Sequence, residues 1–376
     1  MTTPVQLEAE GGAAVNVGAG VGAGTGTGTA AGQLGGWRKI AARPVLAGVI
    51  GIALLLAIGA LLPKWLLFLS TMSAANGVVS LGIVLLMRGG VVSFGQGMVF
   101  AGGGYAAALL AKKFGVTDAL LLALAGGVVA VLMALPFAAL LARYRGIFFS
   151  MLTLALSMVL YGVLVKTESL GGSDGFNMKR PTLFGMKIED VWSGYVLYAF
   201  SIVVAGVLAI LARIYFESSR GLVSLAIREN ELRVEYLGAS TTRVMAANFV
   251  IAAFMGGVGG ALAIMALGHI EPQFSYWTTS GEFVFVSILA GHYSVLAVFV
   301  SSFILELVRS FSSAYFPNTW QMALGIFLLI VIRFLPRGIG SLWLDRRKAA
   351  QDDGGTSDSS GNGGSNGSNG NEGSKP

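Results

Sequence analysis

The sequence predicts an all-α polytopic membrane protein of about ten transmembrane helices, with cytoplasmic N- and C-termini and disordered tails. Three observations carry that prediction. The chain is 55% apolar and 12% charged, with a mean hydropathy of +0.74, roughly half the charged fraction of a soluble domain. Apolar stretches recur along it, many approaching the roughly 20 residues that a helix needs to cross a hydrocarbon core about 30 Å thick. The basic residues are strung along the connecting segments, as topology determinants are, and do not cluster into a nucleic-acid-binding face.

Residues 1–36 read as a disordered Gly/Ala-rich head whose only charges are Glu8 and Glu10. It lacks the basic start and immediate apolar core of a signal peptide. Residues 37–344 read as the transmembrane domain, and 345–376 as a disordered Gly/Ser/Asn-rich cytoplasmic tail unable to bury a core.

Within the domain the apolar segments are Val45–Leu62, Trp65–Met87, Val91–Ala111, Ala119–Leu141, Ile147–Val165, Trp192–Ile214, Val244–Leu267, Phe283–Gly291, Val295–Val308 and Gln321–Leu335. Breakers mark their boundaries, among them Pro63, Arg88-Gly89, Arg145-Gly146 and Pro317. The eighth and ninth segments are short and flank Gly291-His292, so a broken or re-entrant pair stays open there. With the N-terminus inside, the connecting segments place seventeen Lys and Arg on the inner side and eight on the outer, as the positive-inside rule requires. Removing one crossing after Phe283 would send Arg346-Arg347-Lys348 outside, so an even number is favoured.

Two loops stand out. The cytoplasmic loop 213–243 contains a short amphipathic stretch with Leu225, Leu232, Tyr236 and Leu237 on one side. Arg228, Glu229, Glu231, Arg233 and Glu235 give the other side mixed charge, and Gly238 suits a helix stop. Such a stretch is either a solvated connector or a helix that docks into a groove on a partner. The polar external loop, about 166–191, contains Gly171, Gly172, Ser173, Asp174 and Gly175.

Inside the apolar segments, Ser150, Thr153 and Ser157 share one helix face, and Gln96, Asn76 and Asn248 are further uncharged polar groups. They either hydrogen-bond to neighbouring helices or line a weakly polar path for a neutral or zwitterionic solute. The glycines of 93–105 and 256–260 have no preceding strand and no following Lys-Ser/Thr, which excludes a phosphate loop; close helix packing is the stronger reading. Intramembrane charge is sparse: Glu306 and Arg309, at i and i+3 near an outer helix end, could simply pair with each other. His269, Glu271 and His292 form no relay, which argues against a proton-coupled carrier. No cysteine, no metal-ligand cluster and no catalytic triad spacing is present, so no cofactor, metal or catalytic residue is expected in this chain. Nucleotide hydrolysis, if it energises the protein, belongs to another chain.

Five stretches together resemble the permease subunit of branched-chain amino acid ABC importers: Ser93–Tyr105 (SFGQGMVFAGGGY), Arg145–Leu156 (RGIFFSMLTLAL), Gly171–Gly175 (GGSDG), Ala226–Ser240 (AIRENELRVEYLGAS) and Phe334–Gly338 (FLPRG). The resemblance covers about 74–344. It implies an inner-membrane bacterial importer with a second permease subunit, cytoplasmic ATP-binding subunits that use the ATP, and a periplasmic solute-binding protein. It also implies that Ala226–Ser240 contacts the ATPase. The head, the tail and the bulky Gly291-His292-Tyr293-Ser294 break depart from the pattern. A permease for urea or short amides and an ion-coupled carrier are the alternative functions; the GGSDG loop looks more like the amino acid branch.

Overall fold

The computed structural model describes residues 46, 48–178, 181–182, 193–292, 294–334 and 338–340, all within the compact unit Pro44–Pro376. The expected disordered head and tail lie outside the described residues, as do the Arg346-Arg347-Lys348 cluster and the loop cations Lys179, Arg180 and Lys187.

Among the described residues the chain is helical almost throughout. The helices are α1 (Gly48–Gly59), α2 (Lys64–Arg88), α3 (Gln96–Lys113), α4 (Ala119–Leu141), α5 (Gly146–Lys166) and α6 (Ser193–Glu217). Two short ones follow, α7 (Ser219–Glu229) and α8 (Glu231–Tyr236), then α9 (Thr241–Leu267), α10 (Trp277–Ala290), α11 (Val295–Tyr315) and α12 (Trp320–Phe334). Six of these, α2, α4, α5, α6, α9 and α11, are long and apolar enough to cross a membrane. The only sheet among the described residues pairs β1 (Phe176–Asn177) with β2 (His269–Ile270), antiparallel, with Phe176 opposite Ile270.

Three boundaries differ most from the sequence reading, and one is the eighth segment, helical from Trp277 in α10 rather than from Phe283. The third apolar segment does not become helical at Val91: residues 91–95 are non-helical and α3 begins at Gln96. The ninth does not end at Val308, because α11 continues through Arg309 to Tyr315. A charged side chain looks like a segment boundary in one dimension, but here Arg309 finds a carboxylate on another helix.

Helix α2 is almost wholly enclosed and α9 largely so, whereas α4, α5 and α6 expose most of their length. The core therefore sits around α2, α3 and α9. Apolar side chains give little driving force for association among lipid tails, so close packing of small residues supplies it. A Cβ on Gly103 would strike the backbone of Gly257, and one on Gly257 would strike Ala130 and the carbonyl of Gly126. A Cβ on Gly260 would strike the Phe100 carbonyl, and one on Gly82 would lie 2.9 Å from the Ala252 carbonyl oxygen. Helices α3, α4 and α9 thus meet backbone to backbone, and the glycine runs are packing surfaces.

Gly103→Val is predicted to force α3 and α9 apart and to cost about 1–3 kcal/mol, read as a lowered thermal midpoint in detergent. Gly162→Ala, where no atom lies within 4 Å of the new Cβ, should leave the midpoint unchanged or higher. Equal responses would contradict the packing account.

Candidate functional site

The polar groups on α5 meet two stretches that lie outside the α-helices, residues 91–95 and Pro272–Ser275. Ser150 donates to the Val92 carbonyl at 2.7 Å, and the Phe94 N–H donates to the Thr153 hydroxyl at 3.1 Å. Thr153 in turn donates to the Ser150 carbonyl, and the Gly95 N–H is accepted by Ser93 Oγ at 3.2 Å. One turn further along, Ser157 donates at 2.8 Å to the carbonyl of Ser275, in the 3-10 turn Pro272–Ser275 that leads into α10. Across from it, the Gly97 N–H at the start of α3 donates to Ser280 Oγ of α10 at 2.9 Å.

Of the sequence-selected path residues, Ser150, Thr153 and Ser157 thus come together on one face of α5. Gln96 is near them at the start of α3, with its Oε1 buried and unpartnered among the described residues. Asn248 is elsewhere. It lies on α9, accepts from the Tyr215 hydroxyl of α6 at 2.6 Å and donates to Ser224 of α7 at 2.9 Å. That network joins two long helices to the loop between them.

The loop itself is two helices. Asn230 ends α7 and caps α8, its side chain accepting from the Arg233 N–H at 2.9 Å. Gly238, at φ +84°, ends α8 by a turn that a β-carbon would strain. Ser218 and Ser240 cap α7 and α9, and Thr241 donates to the Glu235 carboxylate at 2.7 Å. The buried face also differs from the expected one. Gly221, Ser224 and Ile227 of α7 and Val234 of α8 pack inward. Leu232, Tyr236 and Leu237 point outward, with Tyr236 88% exposed. The amphipathic pattern reads correctly for a two-sided loop, but the break at Asn230 puts these three apolar side chains on the open side.

Glu231 anchors α8. It accepts from Arg145 Nε at 3.1 Å to each oxygen and from Nη2 at 2.7 Å, a fork geometry that only arginine offers. Arg145 also donates to the Ala142 and Tyr144 carbonyls, so one guanidinium ties the α4–α5 corner to α8. Arg228, Glu229, Arg233 and Glu235 are exposed around this anchor. The stem of Arg228 lies over Gly90, where an added Cβ would be 3.4 Å from Arg228 Cγ. Near this loop, His292 is pushed down to about 4 by burial and then by Arg228 and Arg88, which keeps its ring neutral near pH 7.

At the far end of α5, Gly171, Gly172 and Gly175 all have positive φ, and a Cβ on Gly175 would strike the Ile270 carbonyl. These glycines build the turn against β2. Ser173 and Asp174 form its exposed tip, joined by a 3.0 Å hydrogen bond.

Sequence reasoning named Arg145 as a segment boundary and as the start of the Arg145–Leu156 stretch, not as a site residue, and did not select Tyr215, Ser224 or Ser280. Their partners are 33, 24 and 183 residues away, beyond any local spacing rule. The Arg-Gly pair at the start of α5 was the one available signal.

Residues 65–333 match the family model described as the branched-chain amino acid transport system permease component. High-affinity branched-chain amino acid transport system permease protein LivM from Salmonella typhimurium is 28% identical over 299 residues, 72% of this chain and 69% of that protein. LivM from Escherichia coli is 24% identical over 297 residues, with the same shares. LivH from Escherichia coli is 33% identical over 135 residues, 35% of this chain and 44% of that protein. No solved structure matches.

Asn248→Leu is predicted to strand the Tyr215 and Ser224 hydroxyls at a cost of about 1–3 kcal/mol and to loosen α7 from α9. Hydrogen exchange should quicken in α7; unaltered α7 protection would show that the network does not hold the loop.

Proposed function

The chain belongs to the permease-component family of branched-chain amino acid transport systems, and on that premise we propose that it forms part of the translocation path of an ATP-binding-cassette importer for branched-chain or related amino acids. It is a transport component and not an enzyme. The ATP is used by cytoplasmic partner subunits, and a solute-binding protein delivers the cargo on the opposite side. Similarity to both LivM and LivH supports a second permease subunit beside it. The positive-inside count supports ten crossings of a bacterial inner membrane with both termini cytoplasmic.

One observation carries the mechanism: α8 presents an exposed apolar face of Leu232, Tyr236 and Leu237 while Arg145 pins it to the bundle. Contiguous exposed apolar side chains mark docking surfaces, and a short helix entering a groove is a common mode. Closure of the ATPase subunits on nucleotide binding would push on this face. The Arg145–Glu231 fork would pass the push to the α4–α5 corner, and the Ser224–Asn248–Tyr215 network would pass it to α6 and α9. The bundle then rocks between outward- and inward-open states, so solute crosses by alternating access. The tip residues Ser173 and Asp174 face the binding protein.

The test is uptake by the reconstituted importer. Glu231→Arg, or charge reversal at Arg228, should uncouple ATP hydrolysis from leucine uptake, lowering uptake at least tenfold while hydrolysis persists. Adding Arg145→Glu to Glu231→Arg should restore much of the coupling. Unchanged uptake in the single variants would sink the loop assignment. Uptake that survives ATP depletion and collapses with the ion gradient would replace the importer with an ion-coupled carrier.

A further inference from the structure

The sparse charge inside the bundle is arranged differently from the i, i+3 pair that the sequence suggests. Arg309 of α11 does not pair with Glu306; its Nη1 lies 2.9 Å from Glu282 Oε2 on α10. The Glu306 carboxylate instead accepts a hydrogen bond from the Asn76 amide of α2 at 3.1 Å. Arg309 also lies over the Trp320 ring of α12, at 5.2 Å. Four helices therefore converge on one mixed-charge cluster.

Its depth matters. Asn76 is the central residue of the 25-residue α2, and Glu306 is one residue past the centre of the 21-residue α11. Ionisable groups at such depth are costly and mark solute pathways more often than packing, and transporters place solute sites near the midplane. The ion pair is not sealed: the Arg309 side chain is 40% exposed and that of Glu282 19%. A guanidinium that open, held by a carboxylate and an aromatic ring, has donors left for a further polar partner.

Its chemistry is unbalanced. Two carboxylates lie near one guanidinium, which pairs with Glu282; among the described residues Glu306 accepts one hydrogen bond, from the Asn76 amide, although a carboxylate offers about four acceptor sites. The open demand is for a cationic donor beside a fixed positive group. A zwitterionic head group supplies that combination, with an ammonium for the carboxylates and a carboxylate for the arginine.

We propose that Glu306, Glu282, Arg309 and Asn76 form a subsite in the translocation path that takes the ammonium and carboxylate of a free amino acid. This rests on the amino acid reading above. Glu306 and Glu282 receive the ammonium, Arg309 receives the carboxylate, and Asn76 fixes the Glu306 rotamer. The site holds the invariant head group and leaves the side chain to the apolar walls.

The experiment uses the full-length chain in lipid nanodiscs, with thermal stabilisation read against L-leucine, isoamylamine, which lacks the carboxylate, and 4-methylpentanoate, which lacks the ammonium. Leucine should stabilise the wild type at concentrations at least tenfold below those of either truncated analogue. Glu306→Gln should lose that preference. The exchange variant Glu282→Arg with Arg309→Glu keeps an ion pair, and so the fold, but inverts the poles; it should lose the leucine response as well. A wild-type leucine response that persists in both variants, or equal responses to all three compounds, would reduce the cluster to an interhelical tie. Importer uptake separates the two levels of the argument. Leucine uptake unchanged by Glu306→Gln overturns the subsite alone, whereas no leucine uptake by the wild-type importer overturns the amino acid reading with it.

Discussion

An apolar bundle in a bilayer gives its backbone no water to bind, so any stretch that leaves the helical pattern must find every partner within the protein. Among the described residues, two of the stretches that leave the α-helical pattern are residues 91–95 and the 3-10 turn Pro272–Ser275. Both departures are held by one face of α5. Ser150 and Thr153 clip the first stretch and Ser157 the second, while Ser280 holds the start of α3 against α10. Those hydrogen bonds tie α5 and α10 to the start of α3. The hydroxyl stripe, open between path lining and interhelical bonding in the sequence, is seen here satisfying backbone.

With α5 fixed in this way, its Arg145 end lies against α8 and its Lys166 end leads into the 171–175 turn. A 21-residue helix rises about 31 Å, so α5 links the proposed ATPase-facing loop to the proposed binding-protein-facing tip in one rigid element. The second link is the buried Asn248 network, which joins α7 to α6 and α9. Two attachments thus tie the loop to the bundle.

Much of the fold was legible because hydropathy and breakers act locally. The bounds of α4 coincide with the apolar run Ala119–Leu141, and α2, α5 and α9 begin and end within three residues of theirs. The start of α3 was not legible, since Ser93-Phe94-Gly95 is apolar enough to pass for helix and its non-helical form is held in part by the Ser150 and Thr153 hydroxyls, whose partners lie 58 and 59 residues away. The loop was recognisable as amphipathic, yet which side faced outward turned on the Asn230 break. The intramembrane charges were visible as residues but not as partners, because Glu282 lay just outside an apolar run that was taken to start at Phe283. Contacts between distant helices are set by packing, and a single sequence does not carry their register.

The claim that α5 satisfies the non-helical backbone is tested most directly by amide exchange in the Ser150→Ala, Thr153→Val, Ser157→Ala variant of the membrane-embedded chain. The account predicts that the Phe94 amide and its neighbours in residues 91–95 exchange at least tenfold faster than in the wild type, while the helical amides of α9 keep their protection. Wild-type protection across residues 91–95 in that variant would contradict it.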